Sequence, residues 1–172
     1  ILYGVSYTST KDNKSVRNLA ICALDGSDAQ ELTHSGKSIS NARWSADGKR
    51  IVFLMGGQMW SASISEKGGK WKLSALKQVS DIPGGISEFK LSPDQKKVMY
   101  VSYIKSAVKS PSDCYADLDK ATAYTTDDLM YRHWDHTVME IPHTYVSDFA
   151  FKKGGVKAGT DLLAGESELY EL

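Results

Sequence analysis

Apolar and polar residues alternate along much of this chain, and the three-to-four-residue spacing of an amphipathic helix is almost absent, so the pattern predicts strands. Ile1-Leu2-Tyr3-Gly4-Val5-Ser6-Tyr7 reads as a strand from the first residue. The longest apolar run, Ile51-Val52-Phe53-Leu54-Met55, is strand-sized and far short of the roughly 20 residues that cross a bilayer.

The strands recur as a unit. Trp44-Ser45-Ala46-Asp47-Gly48-Lys49-Arg50-Ile51-Val52-Phe53 aligns with Leu91-Ser92-Pro93-Asp94-Gln95-Lys96-Lys97-Val98-Met99-Tyr100 at a spacing of 47 residues. In both copies an alternating stretch meets Ser-x-Asp-(Gly/Gln)-Lys and a second strand follows, which predicts two equivalent hairpins. Ile1-Leu2-Tyr3-Gly4-Val5-Ser6-Tyr7 resembles Val98-Met99-Tyr100-Val101-Ser102-Tyr103 and supplies the second strand of an earlier copy. Each unit continues with a third strand, at 19–24, 59–64 and 145–151, and a short outer strand, at 30–33, 77–80 and 161–163. Four short strands at a period in the forties predict an all-β fold, a β-propeller fragment of about three four-stranded blades. The expected division is a partial blade at 1–37 (strands 2 to 4), a complete blade at 38–80, and a blade at 81–172 with a long insertion at 104–144.

A lone blade cannot cover both faces of its twisted sheet, so blades stack about an axis and each buries its neighbour. About three cannot close a ring. The strand at Ile1 starts without a preceding cap or turn, and 168–172 stop without a closing feature. Both ends are therefore expected to continue in a longer protein, with apolar faces left open on the first and last blades.

Within the hairpins, Asp47 is positioned to accept backbone N–H groups of its turn, Gly48 to take a positive φ, and Pro93 to preset φ beside Asp94. These four are expected as structural turn residues. Trp44, Phe53, Trp60 and Phe89 occupy alternating strand positions and are expected in the core between blades. Lys67-Gly68-Gly69-Lys70, Lys152-Lys153-Gly154-Gly155 and Lys11-Asp12-Asn13-Lys14 read as surface loops. None of the glycine pairs leads into a helix as a phosphate cradle does.

Composition narrows the function. The 172 residues carry 21 Lys and Arg against 21 Asp and Glu, spread along the chain, so no basic footprint for nucleic acid or an anionic membrane is present. Cys22 and Cys114 read as two ordinary thiols, with a disulfide in an oxidising compartment as the alternative. No cofactor motif occurs.

At this level the repeats resemble a family. Ser-x-Asp-Gly-Lys hairpins preceded by Leu32-Thr33 are similar to the propeller repeats of TolB-type proteins and of the prolyl oligopeptidase family of serine peptidases. The inserted run Asp127-Asp128-Leu129-Met130-Tyr131-Arg132-His133-Trp134-Asp135-His136 separates the two. It resembles a segment in propellers of bacterial dipeptidyl-peptidase-like and acylaminoacyl-peptidase-like members of the peptidase family. His143-Thr144-Tyr145-Val146-Ser147-Asp148 and Asp161-Leu162-Leu163-Ala164-Gly165 fit the same pattern, whereas Thr137-Val138 departs from it where relatives often place another aromatic.

The resemblance implies a parent in which the propeller caps an α/β-hydrolase domain carrying a Ser nucleophile, a His base and an acidic orienter on a Gly-x-Ser-x-Gly elbow. No such elbow occurs here. Gly85-Ile86-Ser87-Glu88-Phe89 lacks the second glycine, so no catalytic residue is placed in this chain. The implied role is to gate access to the hydrolase domain and to contact peptides. The partners implied are that domain, further blades of the same parent and a peptide substrate, with no nucleic acid and no membrane span; a periplasmic or exported parent is likewise an implication. The alternative function is a TolB-like scaffold that binds other proteins, with no hydrolase domain downstream.

The insertion holds the candidate contact residues. Arg132, His133, Trp134 and Asp135 concentrate donors, acceptors and an aromatic that could engage a peptide terminus or the hydrolase domain. The competing reading pairs Arg132 with Asp127, Asp128 or Asp135 to hold the insertion in place. His133, His136, Glu140 and His143 also invite a metal, but His-x-x-His lacks the spacing that faces one side of a helix and no second ligand cluster appears, so no metal site is assigned.

Overall fold

The structure is a computed structural model that describes residues 1–106, 108–123, 125, 132–133 and 136–166, with only the backbone described at 132–133 and 136–137. Its strands are β1 (Leu2–Ser9), β2 (Lys14–Ile21), β3 (Gln30–Glu31), β4 (Ile39–Trp44), β5 (Arg50–Met55), β6 (Gln58–Lys67), β7 (Lys70–Gln78), β8 (Glu88–Leu91) and β9 (Lys97–Lys105). A one-turn helix α1 (Pro111–Cys114) and a small hairpin of β10 (Arg132–His133) and β11 (His136–Thr137) precede β12 (Glu140–Asp148) and β13 (Thr160–Asp161). Three meandering antiparallel sheets result: β1-β2-β3, β4-β5-β6-β7 and β8-β9-β12-β13. The all-β propeller-type architecture is thus present, with three strands in the first sheet and four in each of the others.

Several strand limits differ from expectation because hairpin ladders persist while both partners can hydrogen-bond. β2 pairs with β1 from Lys14 onward, and β7 begins at Lys70, directly after the two-residue Gly68-Gly69 turn. β9 and β12 stay in register from Lys97↔Asp148 to Lys105↔Glu140. The stretch outside that ladder is therefore 106–139, shorter than the expected 104–144, and the third strand starts at Glu140 instead of 145.

The alternation of β5 explains the stacking. Ile51, Phe53 and Met55 point to one side, where they meet Leu19 and Ile21 of the first sheet together with Ile39, Ala62 and Ile64. Val52 and Leu54 point to the other side and join Met59, Val79, Phe89, Val98, Tyr100, Phe149 and Val156 against the third sheet. The middle sheet is thus covered on both faces, as a propeller blade requires. Phe53 and Phe89 are fully buried, and Trp44 and Trp60 are half-buried against the first of these clusters. Trp44 meets Trp71 edge-to-face, with ring centroids 6.4 Å apart.

The outer faces are different. Tyr3 and Tyr7 are exposed on the first sheet, and Met99 and Tyr103 on the third, where no sheet of the described residues covers them.

Candidate functional site

In a meander, connections alternate between the two ends of the sheets. One rim carries the β4–β5 and β8–β9 turns. The other carries the β1–β2 and β5–β6 turns, the connectors between sheets and the insertion between β9 and β12.

On the first rim the two Ser-x-Asp turns share a hydrogen-bond plan. Asp47 Oδ1 accepts from Lys49 N at 3.0 Å and from the Ser45 hydroxyl, and Ser45 Oγ accepts from Arg50 N at 2.9 Å. In the second copy, Asp94 Oδ1 accepts from Ser92 Oγ at 2.6 Å and Lys96 N at 3.1 Å, and Ser92 Oγ accepts from Lys97 N at 3.0 Å. The serine hydroxyl, then the backbone N–H, holds each aspartate below its usual carboxylate range. Gly48 takes φ 64° in the first turn, and Pro93 sits in the second.

The second turn has Gln95 where the first has Gly48, with φ 54°, a conformation that disfavours a side chain. Its amide reaches the second sheet: Nε2 donates to Trp44 O at 3.0 Å and Oε1 accepts from Ala46 N at 2.8 Å. Asn41, at φ 51° in the bulge of β4, answers in the other direction by donating from Nδ2 to Phe89 O at 2.9 Å. Gln30 joins the first and second sheets through both backbone groups of Trp71. Arg50 adds a cation–π contact, 4.3 Å above the Phe151 ring. The seams between sheets are therefore tied by amides as well as packed.

On the second rim the connector entering the third sheet presses against the β5–β6 turn: Ile86 N donates to Gly57 O at 2.7 Å, and Ser102 Oγ donates to Gly85 O at 2.7 Å. A Cβ on Gly85 would lie 3.1 Å from Gly57 O, so this approach favours glycine. The insertion leaves the ladder through Ser106, whose Oγ donates to Val138 O at 2.7 Å and whose N–H donates to Met139 O at 2.9 Å. Its helix α1 is capped by Asp113, which accepts from Ser110 N at 2.8 Å and Ser110 Oγ at 2.7 Å. Lys105 pairs with the same carboxylate at 2.5 Å, and that ion pair, with the Ser110 bonds, holds Asp113 far below the ordinary range.

Arg132 and His133 lie in β10, paired to Thr137 and His136 of β11, so both sit on one small hairpin of the insertion. Trp134, Asp135 and the proposed Arg132 partners Asp127 and Asp128 lie outside the described residues. His143 lies apart from that hairpin, in β12. It is buried, and its Nδ1 meets Asp161 Oδ2 at 2.8 Å. Among the described residues no group of three His, Cys, Asp or Glu could hold a metal, and Cys22 and Cys114 are free thiols.

The His143–Asp161 pair was not legible from spacing, because its partners meet only through register. Tyr145 stands opposite Asp161, and His143, two residues earlier on the same face, reaches across to it. Burial raises the Asp161 pKa, but hydrogen bonds from His143 and Leu163 N outweigh it and hold the carboxyl below its usual range. Burial, then the Asp161 charge, pushes the Tyr145 phenol upward. The first sheet repeats the arrangement: Ala20 stands opposite Glu31, and Asn18 Nδ2 donates to Glu31 Oε2 at 3.1 Å. A His–Asp pair makes up two members of a hydrolytic triad. At 2% exposure, however, His143 cannot meet a substrate, and the pair clamps the outer strand to β12.

The fold and seams together define a stretch of β-propeller with one elaborated blade. No protein-family model matches the chain. It is 38% identical to Dipeptidyl-peptidase 5 of Porphyromonas gingivalis, over 96% of this chain and 23% of that protein, and equally to the enzyme of the same name from Porphyromonas endodontalis. The chain thus spans about a quarter of the length of these relatives. Among solved structures it is similar to an acylaminoacyl peptidase of Pyrococcus horikoshii, with a TM-score of 0.57 and 19% identity over 94% of this chain and 22% of that one. An acylaminoacyl peptidase in complex with Z-Gly-Gly-Phe-chloromethyl ketone gives a TM-score of 0.59 at 17% identity, covering 93% of this chain and 23% of that one. The resemblance to propeller segments of prolyl oligopeptidase family peptidases therefore holds over nearly the whole chain.

Proposed function

We propose that this chain is the non-catalytic propeller part of a serine exopeptidase of the dipeptidyl or acylaminoacyl kind, gating access to a separate α/β-hydrolase domain. The observation that carries this reading is the 38% identity to two dipeptidyl peptidases, in alignments that span 96% of the chain. Catalysis resides in the hydrolase domain, on a Ser, a His and an acidic residue outside these residues. The chain contributes stiff walls, because its sheets are packed on each other and tied by amides across their seams. An extended peptide passes such walls and a folded protein does not.

The blades of this reading are 1–37, 38–80 and 81–172, and further blades of the parent cover the exposed faces around Tyr3 and Met99. Asp47, Gly48, Pro93 and Asp94 act as turn residues on one rim. Arg132, His133, Trp134 and Asp135, within the insertion, contact the peptide terminus or the hydrolase domain by charge-assisted hydrogen bonds.

The test uses the full-length polypeptide that contains this chain, assayed with dipeptidyl and acylaminoacyl chromogenic substrates and a serine-reactive phosphonate probe. Labelling and turnover are expected, and Arg132→Ala should raise KM while leaving probe labelling intact. A full-length protein that neither labels nor turns over either substrate class would overturn the reading in favour of a binding scaffold.

A further inference from the structure

The first strands of the two four-stranded sheets, β4 and β8, are tied to each other at two points. Asn41 Nδ2 donates to Phe89 O at 2.9 Å, and Gln95 Nε2 donates to Trp44 O at 3.0 Å. Between these ties each strand carries one exposed cation, Arg43 on β4 and Lys90 on β8. The two hold the same place in their repeats. Arg43 stands opposite Val52 and Lys90 opposite Met99, and each is followed by a half-buried apolar residue, Trp44 or Leu91, and then by the serine of its turn. Both line one recess of about 390 Å³, which Trp44 and Leu91 line as well.

The other polar side chains of the recess are already engaged. Ser92 Oγ donates to Asp94 and accepts from Lys97 N within its own turn, and both ends of the Gln95 amide are bonded to the second sheet. The two cations are not engaged in this way. Arg43 donates one N–H to Ala42 O at 3.0 Å, and among the described residues neither side chain forms an ion pair. The carboxylates of the neighbouring turns are committed elsewhere: Asp47 meets Arg50 at 3.5 Å, and Asp94 is closed into its turn by Ser92 and Lys96 N. Glu88, two residues before Lys90 in β8, forms no ion pair with either cation. Two positive charges held on pinned strands without a counter-charge favour an anion between them. The fork of an arginine matches a carboxylate, and the apolar wall suits an apolar group beside it.

We propose that Arg43 and Lys90 form a subsite for a peptide carboxylate, with the apolar residue next to that carboxylate resting on Trp44 and Leu91. This deepens the proposed function and rests on it, because the first strands of propeller blades lie toward the central channel, and a peptidase propeller passes peptides along it. The carboxylate is a peptide C-terminus or an acidic side chain, which present the same group to the two cations.

The experiment uses the full-length polypeptide that contains this chain, treated with the serine-reactive phosphonate so that no peptide is cut, and reads binding of fluorescent peptides by anisotropy. The peptides share one sequence with an apolar last residue: one ends in a free carboxylate, one in a carboxamide, and one in a carboxamide with glutamate in place of an internal glutamine. The free acid, the glutamate peptide or both should bind at least roughly fivefold more tightly than the plain carboxamide, with the advantage shrinking as salt is raised. Which of them gains separates a terminal from a side-chain carboxylate. Arg43→Gln combined with Lys90→Gln should abolish the advantage and each single substitution should reduce it, while Lys72→Gln, at an exposed lysine of β7, should leave it unchanged. Where the double variant unfolds, the single variants decide by the same ratio. Equal binding of all the peptides by the parent, or an advantage that survives substitution of both cations, overturns the subsite. Phosphonate labelling is read on the same sample. Labelling without a carboxylate preference overturns the subsite and leaves the peptidase reading standing, whereas a preference that depends on Arg43 and Lys90 in a protein that does not label upholds the subsite and overturns the peptidase reading.

Discussion

Replacing Gln95 by glycine sets two effects against each other, and the sign of the result reports whether the amide ties the second and third sheets. The positive φ of 54° at Gln95 costs about 1 kcal/mol for a residue with a side chain, and glycine relieves it. Glycine also loosens the unfolded chain, which takes back about 0.5–1 kcal/mol, so the backbone effects nearly cancel. What remains is the loss of the bonds to Trp44 O and Ala46 N. At about 1 kcal/mol each, discounted because solvent can reach the freed groups, they amount to about 1–2 kcal/mol. For a chain of this size that lowers Tm by about 3–6 °C. Thermal unfolding followed by circular dichroism is the assay, with Gln95→Asn as companion, since asparagine tolerates the backbone but is too short to reach. Both variants should melt below the parent. A Gln95→Gly protein with unchanged or raised Tm would refute the amide tie and leave Gln95 as a strained stand-in for the glycine of the first turn.

Three further outcomes follow from the same structure. Phe53→Ala empties a fully buried site between the first and second sheets and should cost about 3–5 kcal/mol, read as a lowered urea midpoint. Asp161 has its pKa lowered by folding, so its contribution is present above the unfolded carboxylate pKa and is lost as pH falls through the folded one. Asp161→Asn should therefore flatten the acid limb of the stability curve, and a variant with the parent's pH slope below pH 5 would contradict the His143 clamp. Asp47→Asn and Asp94→Asn should each destabilise at neutral pH by weakening the charge-assisted bonds of their turns, with the gap closing in acid as the parent carboxyls protonate; urea midpoints across pH 2–7 check this.

The division between what was readable and what was not follows the range of the interactions. A Ser-x-Asp turn is closed by bonds two to five residues apart, so its chemistry is written in consecutive letters, as at Ser45, Asp47 and Arg50. Strand alternation and the 47-residue repeat are likewise local or periodic, and they specified blades, stacking and the aromatic core at Phe53 and Phe89. Strand ends were misplaced because a ladder continues for as long as its partner does. That is why β9 and β12 hold to Lys105↔Glu140 and the insertion shrinks to 106–139.

By itself, then, the sequence determined the repeating unit, its turns and the need for each sheet to be covered by another, since these depend on near neighbours and on apolar periodicity. Only the tertiary structure decided which polar groups meet across the seams. Asn41 finds Phe89 O and Gln95 finds Trp44 O at separations of 48 and 51 residues, and His143 finds Asp161 through strand register. No spacing rule encodes such contacts, because a side-chain amide or imidazole has many possible partners in sequence and acquires one only when stacked sheets bring a backbone group or carboxylate within about 3 Å.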